Sequence, residues 1–229
     1  MFRGASSFNK DIGNWNTSKV TNMEWVFRDA DLFDKDINEK TVTVGGVTYT
    51  AWDTSSVNNM YGMFQGAHAF NKSINDWNTS NVTGMSRMFN QADSFNQPIG
   101  DWDVSNVTYM ESMFYGADSF NQDIGDWDVG SVTTMKEMFL LAPVFNNGGS
   151  DVIGDWDVSN VTTMKSMFYG AFVFNQDIGD WDVSNVTNMS EMFRDASAFD
   201  QGLNSWDVSN VTSMEGMSNM FNNAAAFGT

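Results

Sequence analysis

Apolar residues return along this chain at a fixed spacing. Counted from a recurring tryptophan as position 0, they fall at 0, 2, 5, 8, 11, 12, 15, 18 and 22. From 6 to 15 the text is T-x-M-x-x-M-F-x-x-A, with apolar residues at i, i+3, i+4 and i+7. That spacing predicts one face of a short helix of about two turns, partly 3₁₀. Thr108 with Glu111 reads as a capping box, and Thr21 with Glu24 and Thr212 with Glu215 repeat it. Gly66, Gly116 and Gly170 fall late in the stretch, where helices end. From 23 to 27 the pattern changes to alternation, G-D-W-D-V. This predicts a strand of three to five residues with Trp and Val inward and both acids outward. Methionines such as Met85, Met110, Met135, Met164 and Met189 stand beside phenylalanine at helical spacing and read as core filler.

The spacing is a period. Trp52, Trp77, Trp102 and Trp127 are 25 residues apart, as are Trp156, Trp181 and Trp206, with Trp15 opening the series across a longer gap. A period of this length predicts units too small to bury their own apolar face, which stack on their neighbours. The expected fold is an α/β solenoid over residues 1–229, with parallel strands on one wall, helices on the other and the tryptophans inside. Three insertions interrupt it. Residues near 39–51, alternating and β-branched around Gly45 and Gly46, read as a projecting hairpin. Residues near Asn146–Gly149 read as a widened loop, and Met217–Met220 lengthens the last helix.

Composition narrows the partners. With 11 basic and 29 acidic residues the formal charge is −18, which repels nucleic acid and anionic membrane surfaces. The absence of cysteine removes disulfides and thiolate zinc sites. No apolar run is long enough to span a membrane. The N-terminal residues read as the middle of a repeat and not as a signal peptide.

The motif V-T-x-M-x-x-M-F-x-x-A-x-x-F-N-Q-D-I-x-x-W-D-V-S-N closely resembles the 25/26-residue bacterial surface-protein repeat of Listeria and Mycoplasma lipoproteins, the DUF285-like type. It is similar also to BspA-type leucine-rich repeats, with Ile124, Trp127 and Val129 in the three apolar slots. The resemblance covers nearly the whole chain. It implies a right-handed coil displayed outside the cell or on its surface, with adhesion or protein and glycan binding as its role. It carries no catalytic residues. The lipoprotein cysteine, signal and end caps of such proteins are missing here.

The best candidate surface is acidic. Asp76, Asp101, Asp126, Asp155 and Asp180 form a column before the tryptophan, and Asp53, Asp103, Asp128, Asp157, Asp182 and Asp207 form one after it. At a strand spacing of about 4.8 Å, neighbouring carboxylates repel by roughly 1 kcal/mol per pair even at water-like dielectric. A basic partner or a hard divalent cation, Ca²⁺ above all, would offset this. The plainer reading is a solvated face whose aspartates cap turns, since no calcium-loop motif is present. His68, the one histidine, forms no triad or metal cluster. Asn81, Asn106, Asn160, Asn185 and Asn210 each begin Asn-Val-Thr, a glycosylation sequon that also reads as turn chemistry. A row of Thr83, Thr108, Thr133, Thr162, Thr187 and Thr212 suggests an ice-binding face only distantly, because helix caps explain it. Nothing points to an enzyme or a resident cofactor. The leading expectation is a non-catalytic surface or secreted binding module, and the alternative is a fibre-forming segment that stacks head to tail through uncapped ends.

Overall fold

A computed structural model describes residues 1–228. Successive repeats lie on one another in register. Parallel bridges join Asn22 to Asn59, Asn59 to Gly84, Gly84 to Tyr109, Tyr109 to Thr134, Thr134 to Thr163 and Thr163 to Asn188. Each of these residues stands seven places after a column tryptophan.

The coils are built from β-turns. Met63 N–H closes a turn on the Met60 carbonyl at 3.2 Å, Ala67 on Phe64 at 3.0 Å, and Phe70 on Ala67 at 3.1 Å. The intervening N–H groups reach the next coil: Met60 to Gly84 O, Gly62 to Ser86 O, Phe64 to Met88 O and Gly66 to Asn90 O, at 2.8–3.0 Å. Alternate backbone groups therefore bond within the coil and across to its neighbour, which satisfies the buried backbone without a helix.

The expected α/β, leucine-rich-repeat-like right-handed coil is overturned. Among the described residues the regular elements are one antiparallel hairpin and three short 3₁₀ turns, Asn147–Gly149, Asp151–Asp155 and Met214–Met217. The expected helix over positions 6 to 15 fails because its fifth and ninth residues turn left-handed. Positive φ recurs at Gly62 (55°), Arg87 (59°), Ser112 (54°) and Glu137 (59°), and four places on at Gly66 (68°), Gln91 (55°), Gly116 (62°) and Leu141 (55°). Positive φ at the third turn residue is the type II arrangement, which glycine adopts without strain. Gly66, Gly116 and Gly170 are thus turn residues and not helix ends. The capping boxes dissolve with the helix. Thr108 donates its hydroxyl to the Thr83 carbonyl at 3.1 Å, and Glu111 pairs with Lys136 at 3.0 Å. Near Thr212 the residue that caps the last 3₁₀ turn is Ser213, which accepts from Gly216 N–H.

The expected parallel strands are absent too. At G-D-W-D-V the inside–outside alternation holds, with Trp102 and Val104 buried and Asp101 and Asp103 exposed. The backbone there makes turns, Ile99 to Trp102 and Val104 to Val107. Side chains tie that wall together. From Trp52 to Trp206 each column Trp Nε1 donates to an isoleucine carbonyl one coil back, as Trp102 to Ile74 (3.2 Å) and Trp127 to Ile99 (3.0 Å).

One apolar cluster runs from Ile12 to Met220. Trp52, Trp77, Trp102, Trp127, Trp156 and Trp181 are buried, whereas Trp206 is half-buried and Trp15 is 39% exposed in the outer coils. The methionine column is fully buried as core. Phenylalanines pair within each coil (Phe64–Phe70, 4.2 Å) and stack between coils (Phe64–Phe89, 5.7 Å). The hairpin expected near 39–51 is present as β1 (Lys40–Val44) and β2 (Val47–Ala51), turning at Gly45 and Gly46. The widened loop at 146–149 forms the first 3₁₀ turn, with Gly148 at φ 61°.

Candidate functional site

The structure separates the two acidic columns. After the tryptophan, the aspartate folds back on the chain: Asp53, Asp103, Asp157, Asp182 and Asp207 each accept the N–H of the serine two residues on, and Asp128 accepts that of Gly130. These are Asx turns, the local alternative to regular structure that a short acid offers. At Asp103, Asp157, Asp182 and Asp207 the serine holds the carboxyl below the usual aspartate range. Its hydroxyl is the main cause for Asp103, Asp157 and Asp182, and its N–H for Asp207. A depressed folded value stabilises above the ordinary aspartate value of about 3.9, and that stabilisation is lost as pH falls through the folded value. Repulsion along the column is present as well, for Asp182 pushes Asp157 and Asp207 upward.

Asn16 and Asn78 occupy the same slot in other coils and accept the same serine N–H. Asp128→Asn is therefore expected to keep its turn, lose repulsion and be neutral or stabilising in a urea melt. Asp128→Ala is expected to cost about 1 kcal/mol. Equal losses for both variants would mean that the turn bond contributes nothing.

Before the tryptophan, Asp101, Asp126, Asp155 and Asp180 are exposed and accept no hydrogen bond among the described residues. Asp76 differs, since Asn38 donates to it at 2.8 Å. This column faces a third one that the acid pattern around tryptophan did not reveal. Asp123 joins Asp101 and Asp126 around a hollow of about 260 Å³, and Asp151 and Asp177 join Asp155 and Asp180 around one of about 240 Å³. The missed signal was the aspartate of F-N-Q-D-I at Asp123 and Asp177, while Asp151 comes from the inserted loop. Among the described residues no three carboxylate or imidazole groups come together as metal ligands. His68 pairs with Asp93 at 2.8 Å on the surface.

The sequon and threonine rows act between coils. Asn81, Asn106, Asn160, Asn185 and Asn210 each donate the side-chain amide to a carbonyl one coil back, at 2.6–2.9 Å. Thr83, Thr108, Thr133, Thr162 and Thr187 donate their hydroxyls likewise. Their outward chemistry is spent on stacking.

A further concavity lies along the turn ladder. A groove of about 630 Å³ is lined by Glu24, Trp25, Asn58, Asn59, Tyr61, Thr83, Gly84, Ser86, Tyr109 and Glu111. Trp25 and Tyr61 meet edge to face at 5.8 Å, and Tyr109 is 56% exposed. The sequence pattern singled out Glu24, Thr83 and Glu111 only as caps, and it passed over Trp25, Tyr61, Gly84 and Tyr109 because none lies in the apolar register. Trp25 is the one tryptophan outside the column, and that departure was the available signal.

Over this chain the family described as "Mycoplasma protein of unknown function, DUF285" matches residues 1–49, 45–152 and 146–229. The chain belongs to the DUF285 family. No curated protein and no solved structure matches it. As a DUF285 repeat protein it departs from its own period on the groove wall, as it does also at positions 13 and 16. Position 7 holds Asn22, Asn59, Gly84, Tyr109, Thr134, Thr163, Asn188 and Ser213, and position 9 holds acids, bases, serines and a tyrosine. The Asp-Val-Ser-Asn wall scarcely changes by comparison. No helix among the described residues is long and apolar enough to cross a membrane.

Proposed function

We propose that this DUF285 chain is a non-catalytic binding protein of the cell surface or its exterior, an adhesion module whose partner, protein or glycan, docks on the turn-ladder wall. The variation at positions 7 and 9 carries this reading. Within one periodic chain, residues that the fold requires recur in every coil, as the core phenylalanines and the Asx-turn Asp or Asn do. Residues that change from coil to coil are free of that requirement and, where they line a groove, can answer to something outside the fold. Concave repeat surfaces serve binding in this way. The unpaired carboxylates of Asp101, Asp126, Asp155 and Asp180 add a negative field that steers basic partners and rejects nucleic acid.

Two measurements test the reading together. Intact cells that make the protein are labelled with a membrane-impermeant biotin reagent, and the purified protein is titrated over immobilised matrix proteins and glycans. Labelling without lysis and saturable binding to one surface are expected. Labelling only after lysis, or no saturable binding to either surface, overturns the proposal.

A further inference from the structure

Two residues in the groove break local rules in opposite directions. Gly84 is small where the fold does not ask for it: its φ is not positive, and an added Cβ would meet only Asn59 Oδ1, at 3.7 Å. The same slot holds Tyr109, Thr134 and Thr163 in other coils. Its effect is to leave a gap between Tyr61 and Tyr109, over Ser86. Trp25 is the largest side chain in a left-handed slot, with φ 56°, where bulky side chains are disfavoured and other coils carry Gly62, Arg87, Ser112 and Glu137. Gly62 fills that slot in the next coil, directly against the Trp25 indole. One substitution opens the groove and the other walls it with a ring. Departures from local preference that converge on one place are the mark of a site.

Resting on the binding role proposed above, we infer that this groove is a carbohydrate site which takes a neutral oligosaccharide across four successive coils. At the ordinary strand spacing its run is about 14 Å. The chemistry suits a sugar. The rings of Tyr61 and Tyr109 offer apolar faces to pyranose C–H groups, and the Trp25 indole, with Arg3 over its ring, walls one end of the groove. Asn59, Ser86, Glu24 and Glu111 supply the donors and acceptors that hydroxyl groups exchange with. Charge is near balance on this wall of an otherwise acidic chain. Lys136 holds Glu111 at 3.0 Å, and the guanidinium groups of Arg3 and Arg28 stand 4.6 and 5.6 Å from the Trp25 ring. Neither a strongly cationic nor a strongly anionic ligand is favoured there.

The fold itself provides the variants. Gly84→Tyr copies Tyr109, Trp25→Gly copies Gly62, and Asn188→Thr copies Thr163 on the same ladder far from the groove. The purified protein is screened on an array of neutral and sialylated oligosaccharides, and the strongest neutral compound is then titrated by calorimetry. Neutral compounds are expected to bind. Gly84→Tyr and Trp25→Gly should each weaken binding at least tenfold, with Asn188→Thr unchanged and urea midpoints not lowered for any variant. Binding that survives both groove variants overturns the inference, as does a strict requirement for sialic acid. If a matrix protein is bound but no neutral glycan, the carbohydrate site falls and the binding role stands. Binding to neither removes both.

Discussion

Trp127→Ala is expected to lower the free energy of unfolding by about 3–5 kcal/mol, the range for removing a large buried aromatic. Trp127 is 3% exposed and lies 6.4 Å from Phe114, centroid to centroid. Its indole also donates to Ile99 O at 3.0 Å, so the variant leaves both a cavity and a buried carbonyl with one partner fewer. The neighbouring coils cannot collapse into the gap without shifting the backbone bonds that register them. Because each coil touches only its neighbours, damage in a central coil also weakens coupling between the two halves. Urea denaturation followed by circular dichroism is expected to show a lower midpoint and a broader transition. Trp206→Ala, in a half-buried position, should lose distinctly less. A loss below about 1.5 kcal/mol for Trp127→Ala would mean that the tryptophan column does not hold the coils together.

The second large effect is expected from a polar residue. Asn121→Ala should cost about 1–2 kcal/mol, since a backbone N–H left without a partner costs about 1–3 kcal/mol when shielded from water. That applies to the part-buried Asn146 N–H, whereas the exposed Gly148 N–H can turn to water. Asn121 Oδ1 accepts the N–H of Asn146 at 2.8 Å and that of Gly148 at 3.0 Å. Its own N–H is bonded to Asn96 Oδ1, 3.0 Å away, in the coil before. The same slot links Asn71 to Asn96 and Asn146 to Asn175, so a ladder of amides runs along the stack. Asp34 and Asp200 serve as acceptors in this column, so Asn121→Asp is expected to stay close to the parent. Urea melts of both variants, with hydrogen exchange at Asn146 and Gly148, decide the matter. Unchanged exchange at those amides in Asn121→Ala would rule out the ladder as their support.

Several features were legible in the chain alone. The burial of Trp102, Val104, Met110, Phe114 and Phe120 follows from their period, since only positions that face a shared core need to recur as apolar residues. The hairpin at 40–51 was legible because alternation around two glycines has few other solutions. Turn capping by the post-tryptophan aspartates was one of the two readings that the acidic columns supported. The helix was misread for a physical reason. Successive turns of three and four residues put apolar side chains inward at the same i, i+3, i+4 and i+7 spacing as a helix, so Met85, Met88, Phe89 and Ala92 fit either backbone. What distinguishes the two is the pair of left-handed positions four residues apart. Only some coils mark them with glycine, as at Gly62 and Gly66, while others carry Arg87 and Gln91 there.

The groove was illegible for another reason. Gly84, Tyr109 and Trp25 lie in different repeats, and nothing in the linear order says that a missing side chain in one coil will open between rings of its neighbours. The same holds for Asp123, which meets Asp101 and Asp126 only once the coils are stacked. The sequence by itself determined the repeat, its inward columns and the places where the period is interrupted, because burial of apolar surface depends on which residues recur. Tertiary structure alone decided whether the backbone groups bond along the chain or across to the next coil. Both choices satisfy the same donors and acceptors and bury the same side chains. That choice set the coil-to-coil alignment, and the alignment brought the groove residues together on one wall.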